Sequence, residues 1–276
     1  MDPDVASTAR VTAAWRAVET ARAQRLFADP WAAALAGADV LTKLTSLPPE
    51  VQDRASSYTI IRTRNFDDWL LSMVGCAQIV LLGAGFDTRA FRLAWPVGTQ
   101  IWELDQAQVL DAKEEILKGE QTSSGCTRHS VEADFADNAW SAALLRAAFR
   151  PDMPTAWLAE GLLPYLQPAS VESLLHQVSG LSAAGSCLAA DFVSADLMAA
   201  RNAYVRQQTS PAGGAMFNFG VDDPSALLTD KGWRVTSLKQ PGDDDASFGR
   251  WVQPQGVGAG FFFVMAEWPL LPTRAG

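Results

Sequence analysis

Apolar and polar positions change rhythm once along this chain. Up to about residue 75, apolar residues recur at helical spacing, first over 8–25 and again over 57–74, with Asp29-Pro30-Trp31 between them offering a proline suited to a first helical position. From Cys76 onward, short apolar runs alternate with helical stretches. The runs predict strands at 78–82, 100–104, 128–132, 156–159, 186–190, 233–238 and 260–268. Alternation of this kind belongs to a parallel sheet covered by helices on both faces. The Gly/Asp/Pro-rich connection around 241–245 lets the last two strands pair as an antiparallel hairpin, after five parallel strands. The expected fold is therefore an α/β, Rossmann-like, seven-stranded and mostly parallel sheet with a helical N-terminal cap. We expect one domain over 1–276, with the cap at 1–75 and the α/β core at 76–276. A lid insertion is expected over 194–224, where Pro211, Gly213 and Gly214 suggest a mobile loop. No internal repeat is found.

Composition narrows the function classes. A hydrophobic fraction of 48% over 276 residues can fill a large core. Cys76, Cys126 and Cys187 are widely spaced and odd in number, which offers no disulfide framework and fits a reducing, cytoplasmic setting. No apolar run reaches the length of a membrane span. The net charge of −9 and the lack of a Lys/Arg cluster argue against a nucleic-acid partner. His129 and His176 carry no spacing that suggests a triad, and the familiar zinc-site patterns are absent, so no metal is expected.

The first strand runs straight into Gly83-Ala84-Gly85-Phe86-Asp87, a glycine turn where backbone can approach a ligand closely. The third glycine of a dinucleotide fingerprint is replaced by Thr88, which weakens a nicotinamide reading and leaves a plain tight turn open. Asp105 ends the next strand twenty residues beyond Gly85, where a carboxylate can accept both ribose hydroxyls of an adenosine. It also stands three residues before Gln108, a capping-box pattern, and the two roles are compatible. Glu103, two residues earlier on the same strand face, is a second ribose candidate.

Arg62-Thr63-Arg64-Asn65-Phe66-Asp67-Asp68, Leu82-Gly83-Ala84-Gly85-Phe86-Asp87-Thr88-Arg89 and Glu103-Leu104-Asp105-Gln106 together resemble the leucine carboxyl methyltransferase family, its bacterial branch most closely. The likeness extends from Ala9 to about Phe192 through Glu19-Thr20-Ala21-Arg22, Leu26-Phe27-Ala28-Asp29-Pro30 and the run from Ala159 to Leu166. Beyond Ser194 it fades to the Gly232-Trp233 element. The resemblance implies a class I methyltransferase that uses S-adenosylmethionine to methylate carboxylates on proteins or natural products, with many bacterial members lacking an assigned acceptor. It implies cofactor contacts at Arg62, Gly83, Asp105, Asp134, Phe135 and Glu160.

Individual residues carry their own arguments. Arg62 shares a helical face with Phe66, Trp69, Leu70 and Met73, whereas Arg64 stands three and four residues before Asp67 and Asp68, as in a solvated ion pair. A guanidinium on the buried face needs an anion, either the methionyl carboxylate of the cofactor or an internal acid. Asp134 follows the third strand and can accept from the adenine amino group while Phe135 packs the ring, or it can cap a helix. Glu160 ends the fourth strand and can hold the cofactor's ammonium or anchor Arg62. Tyr165, Arg201 and Tyr204 are the acceptor-side candidates, with Arg206 and Arg250 as further cations for an anionic acceptor and a core role open for Tyr165. The expected activity is O-methylation of a small-molecule or natural-product carboxylate. Methylation of a phenol or other hydroxyl, a nicotinamide-dependent oxidation and a binding-only protein are the alternatives. No general base is singled out.

Overall fold

The computed structural model describes residues 3–73, 75–207, 215–252 and 260–269. The N-terminal segment forms four helices, α1 (Pro3–Thr20), α2 (Ala32–Ala36), α3 (Ala38–Thr45) and α4 (Pro49–Ser72). The first ends five residues earlier than its apolar spacing predicts, because the Thr20 hydroxyl donates to Arg16 O and accepts from Asp29 N, folding the chain back. Asp29 in turn accepts from the amides of Trp31 and Ala32, so α2 starts after Trp31 rather than at Pro30. The last begins at Pro49, eight residues before the expected start, since a proline in the first turn costs no hydrogen bond. Val74, the expected end, lies outside the described residues.

The core runs β1 (Gln78–Leu82), α5 (Arg89–Arg92), β2 (Thr99–Asp105), α6 (Ala107–Ile116), β3 (Cys126–Glu132), α7 (Trp140–Arg146), β4 (Thr155–Ala159), a 3-10 turn at Leu163–Tyr165, α8 (Pro168–Gly180) and β5 (Cys187–Val193). It closes with α9 (Ala195–Gln207), α10 (Pro224–Asp230), β6 (Arg234–Lys239), α11 (Asp244–Ser247) and β7 (Phe261–Glu267). The sheet order is β3-β2-β1-β4-β5-β7-β6, parallel through β5, with β7 antiparallel to both of its neighbours. Five parallel strands and a terminal hairpin are as expected. β1 and β4 are buried along their whole length, as strands covered on both faces must be. Period-two alternation sends Ile79, Leu81 and Leu158 into one apolar cluster with Ala13, Leu35, Ile61 and Phe66 of the N-terminal helices. Val80, Leu82 and Trp157 go into the other, with Leu144, Val171 and Leu175. The strand order reverses between β1 and β4, and the crevice beyond their carboxyl ends is where ligands collect in such sheets.

The expected loop over 194–224 is a helix through its first half. Ser194 Oγ accepts from Leu197 N, Asp196 sits in the first turn and Arg206 in the last, and Leu197 and Asn202 are buried. Favourable ends and two buried anchors account for this helix. Pro211, Gly213 and Gly214 lie outside the described residues. Residues 215–221 pass the carboxyl ends of β4 and β5, with Asn218 and Phe219 donating backbone N–H to Pro164 O and Val221 to Val193 O.

Candidate active site

The turn after β1 places Gly83 at φ +66° and Gly85 at φ +50°, a region that β-carbon sterics disfavour. A Cβ at Gly83 would also stand 2.9 Å from Leu162 Cδ1, so the turn is packed against the loop that follows β4. Its middle residue, Ala84, is buried and donates its N–H to Leu104 O at 2.9 Å. Asp105, the last residue of β2, accepts from Gly85 N through Oδ2 and from Gln106 N through Oδ1, each at 2.7 Å. The capping box does not form: Gln106 caps α6, and the Gln108 amide donates to Gln106 Oε1 instead. Burial raises the Asp105 pKa, and its two amide bonds only partly offset this. No cation pairs with it among the described residues. A carboxylate accepts about four hydrogen bonds, so Asp105 keeps capacity for two hydroxyl donors, as a ribose would supply.

Around this turn three arginines and four acids interlock. Arg62 on α4 donates from Nε to Glu160 Oε1 at 3.0 Å and from Nη1 to Asp191 Oδ2 at 3.1 Å. Asp191 also accepts from the Tyr58 hydroxyl at 2.7 Å and from Gly161 N at 2.6 Å. Arg89, 2% exposed, reaches Glu160 Oε2 at 2.7 Å, Asp67 Oδ1 at 2.7 Å and Asp87 Oδ2. Arg92 grips both oxygens of Asp67 at 2.6 and 2.7 Å. Three guanidiniums against four carboxylates leave one negative charge in excess. Burial pushes the Asp87 carboxyl up, but the Arg89 guanidinium outweighs it and holds the pKa at about 2. Burial pulls Arg62 down, yet Asp191 and Glu160 hold it above its ordinary value. Gly161, at φ +65°, is the residue that makes room: a Cβ there would lie 2.9 Å from Arg62 Nη1.

The helical phase of α4 holds. Phe66 and Leu70 are buried, Trp69 and Met73 pack beside them, and Arg64 stays half exposed. Arg64 pairs with Asp68 alone, at 2.8 Å; Asp67 turns inward to Arg89 and Arg92, because i,i+3 and i,i+4 neighbours of a residue need not share its exposure. Tyr58, Asp67, Arg89, Arg92 and Asp191 belong to this network, and sequence reasoning gave none of them a site role. An acid inside the apolar run of β5 was the available signal for Asp191, and the Asp87-Thr88-Arg89 step after the glycine turn was the signal for Arg89.

Glu103 does not reach the edge as a free acceptor. It is fully buried and pairs with Lys113 Nζ at 2.6 Å and Arg128 Nη2 at 2.8 Å, since α6 covers that part of β2. Asp134 is exposed beside the end of β3 and accepts from Ala136 N at 2.9 Å; α7 starts six residues later with Ala139 as its cap, so Asp134 does not cap it. Ala133 N donates to Asp105 O, which puts this loop next to Asp105, and Phe135 is buried 5.9 Å from the Trp140 ring. Tyr165 meets Phe217 edge to face at 5.1 Å, and Arg201 lies over the same Phe217 ring at 4.3 Å; Tyr204, 60% exposed, stands apart. His129 stacks on Trp102 and bonds Gln100 within β2 and β3, and His176 is exposed on α8, so neither reaches the edge. Among the described residues no cluster of His, Cys, Asp and Glu could hold a metal, and no helix is long and apolar enough to cross a membrane.

The family model for leucine carboxyl methyltransferase matches residues 9–179. A relative from Parafrankia sp., named as an S-adenosyl-L-methionine-dependent methyltransferase, is 40% identical over 258 residues, covering 86% of this chain and 82% of its own length. One of the same name from Saccharopolyspora erythraea is 38% identical over 248 residues, 84% of each. Among solved structures, a DUF574 family protein from Streptomyces avermitilis superposes with a TM-score of 0.58 at 14% identity, over 95% of this chain and 97% of that one. A protein described as a methyltransferase from Thermobifida fusca gives 0.53 at 14% identity, over 95% and 94%.

Proposed function

The chain belongs to the leucine carboxyl methyltransferase family of S-adenosylmethionine-dependent enzymes, and from that premise we propose that it forms a methyl ester on the carboxylate of a small organic acid. When bound, S-adenosylmethionine supplies a methyl group already activated by its sulfonium. In this reading Asp105 takes the ribose hydroxyls and Asp134 the adenine amino group beside Phe135. Gly83, Ala84, Gly85 and Asp87 bring backbone close to the methionyl portion, whose carboxylate and ammonium engage Arg62 and Glu160. Glu103 is left to its ion pair with Lys113. The chain is treated as one domain, with its N-terminal helices as a cap and 194–224 as an acceptor-side cover.

The observation that carries the ester over the ether is the state of the acids at the edge. Asp67, Asp87, Glu160 and Asp191 are each bound to arginine, and Asp105 and Asp134 are taken up by the cofactor in this reading, so no acid among them is left to take a proton. The Tyr58 phenol, pushed well above its ordinary value by burial and by Asp191, is committed to that acid. An ionised carboxylate needs no base: its oxygen forms the C–O bond as the methyl–sulfur bond breaks, the electron pair returns to sulfur and no proton moves. A phenol of pKa about 10 would have to lose one first. The protein's task is then to align the acceptor and exclude water. The test uses methyl-tritiated cofactor and a panel of organic acids. Label released as volatile methanol by mild base is expected; label that stays in the product would mean an ether or a methylated nitrogen and overturn the reading.

A further inference from the structure

Among the described residues, the arginines that are not solvent-exposed have carboxylate partners, with one exception. Arg10, Arg16, Arg22, Arg62, Arg89, Arg92, Arg128 and Arg250 each have one within 4 Å. Arg201 on α9 does not, among the described residues. Its Nη2 donates to Ala215 O at 3.1 Å, its Nε is buried with no acceptor, and its guanidinium lies over the Phe217 ring at 4.3 Å. In a chain of net charge −9, a partly buried cation left without an acid is an exception. The protein fills little of this guanidinium's donor capacity, and its remaining N–H groups are donors for an anion.

The surroundings of Arg201 are held in place. The Asn202 side chain clamps Phe217 from both sides, donating to its carbonyl at 2.7 Å and accepting from its N–H at 2.8 Å. Asn218 Nδ2 donates to Tyr165 O at 2.8 Å, and the N–H groups of Asn218 and Phe219 share Pro164 O. This ties the Arg201–Phe217–Tyr165 stack to the turn only a few residues after Glu160, at the carboxyl edge that carries the ion network. Of the three cations open to an acceptor from sequence, Arg250 is turned to Glu19 and Gln24 O, and Arg206 is exposed. Only Arg201 combines a cation, two aromatic rings and a fixed backbone.

We infer that Arg201, Phe217 and Tyr165 form the acceptor subsite, and that it takes a planar, aromatic carboxylic acid. The guanidinium receives the carboxylate and the planar body lies against the Phe217–Tyr165 pair, with binding strengthened because Asn202 and Asn218 have already ordered the site. This inference rests on the carboxylate reading above, and it adds the chemical class of the acid and the residues that select it.

The test measures binding of benzoate and indole-3-acetate, each beside its amide, to protein saturated with S-adenosylhomocysteine, by ligand-observed NMR. Wild type is expected to prefer each acid over its amide by about tenfold or more, the size of one charge-assisted contact. Arg201→Met should erase that preference, Arg201→Lys should restore part of it, and Arg206→Met should leave it intact. Phe217→Leu should weaken acid and amide together. Neither acid binding to wild type at millimolar concentration, or an unchanged acid preference in Arg201→Met, would overturn the inference. The ester reading fails separately: acids that bind through Arg201 while labelled methyl appears only in base-stable products would refute the ester and leave the anion subsite standing.

Discussion

The two sides of the sheet's carboxyl edge are built on opposite electrostatic plans. On the side of α4 and the turn after β1, Arg62, Arg89 and Arg92 are matched against Asp67, Asp87, Glu160 and Asp191, with almost every polar atom satisfied inside the protein. On the side of α9, Arg201 rests on an aromatic ring with a carbonyl for company. The first plan suits a ligand that is always the same and carries both charges, since a closed lattice can offer a cation and an anion at fixed positions. The second suits a ligand of one sign, which must bring the missing partner itself. The family match ends at residue 179, before α9 begins, so the matched portion holds most of the lattice and the unmatched portion holds Arg201, which has no carboxylate partner among the described residues.

The largest expected difference between the sides is in stability. Arg89→Ala should take one partner from three carboxylates, leaving Asp87 without a cation while Asp67 keeps Arg92 and Glu160 keeps Arg62, and cost about 3 to 5 kcal/mol in urea unfolding, the range for breaking a buried ion pair from one side. Arg201→Ala should cost less than about 1 kcal/mol, because no buried acid depends on it. Similar losses for the two would erase the contrast.

Cofactor affinity should separate the sides next. Asp105→Ala and Arg62→Ala should each weaken S-adenosylhomocysteine binding by about 2 to 3 kcal/mol in calorimetry, with circular dichroism showing a folded protein. Arg64→Ala, which removes a half-exposed pair with Asp68, a bond to Leu26 O and a contact with the Phe248 ring, all apart from the network, should change it by less than about 0.5 kcal/mol. Equal losses at Arg62 and Arg64 would show that the methionyl carboxylate is held elsewhere.

The smallest effect is in acid. The folded pKa of Asp87, about 2, lies below its unfolded value of about 4, so its contribution is complete above pH 4 and is lost as pH falls through 2. Integrated, this is on the order of 2 kcal/mol. Asp87→Asn should therefore flatten the loss of urea stability between about pH 4 and 2. An unchanged slope would mean that Arg89 does not favour ionised Asp87.

Much of this was legible along the chain. Strand positions followed from period and burial, because an apolar run of five residues between turn formers has few other places to go; β1 and β4 fell within a residue of expectation. The glycine turn, Asp105 and the inward phase of Arg62 were readable for the same local reason: each depends on residues close in sequence. What sequence could not supply was the pairing of charges. Glu103 and Asp105 share a strand face, yet one is sealed by Lys113 and the other accepts from Gly85, because α6 covers only part of that face. Asp67 and Asp68 are neighbours, yet one faces two buried arginines and the other solvent. Arg201, Arg206 and Arg250 were equivalent as letters, and only the passage of 215–221 past the carboxyl ends of β4 and β5 set Phe217 under one of them. Local spacing determines which face of an element a residue occupies. Which charge meets which partner is decided by distances between segments far apart in sequence, such as Arg62 and Asp191, and those exist only once the sheet has brought them together.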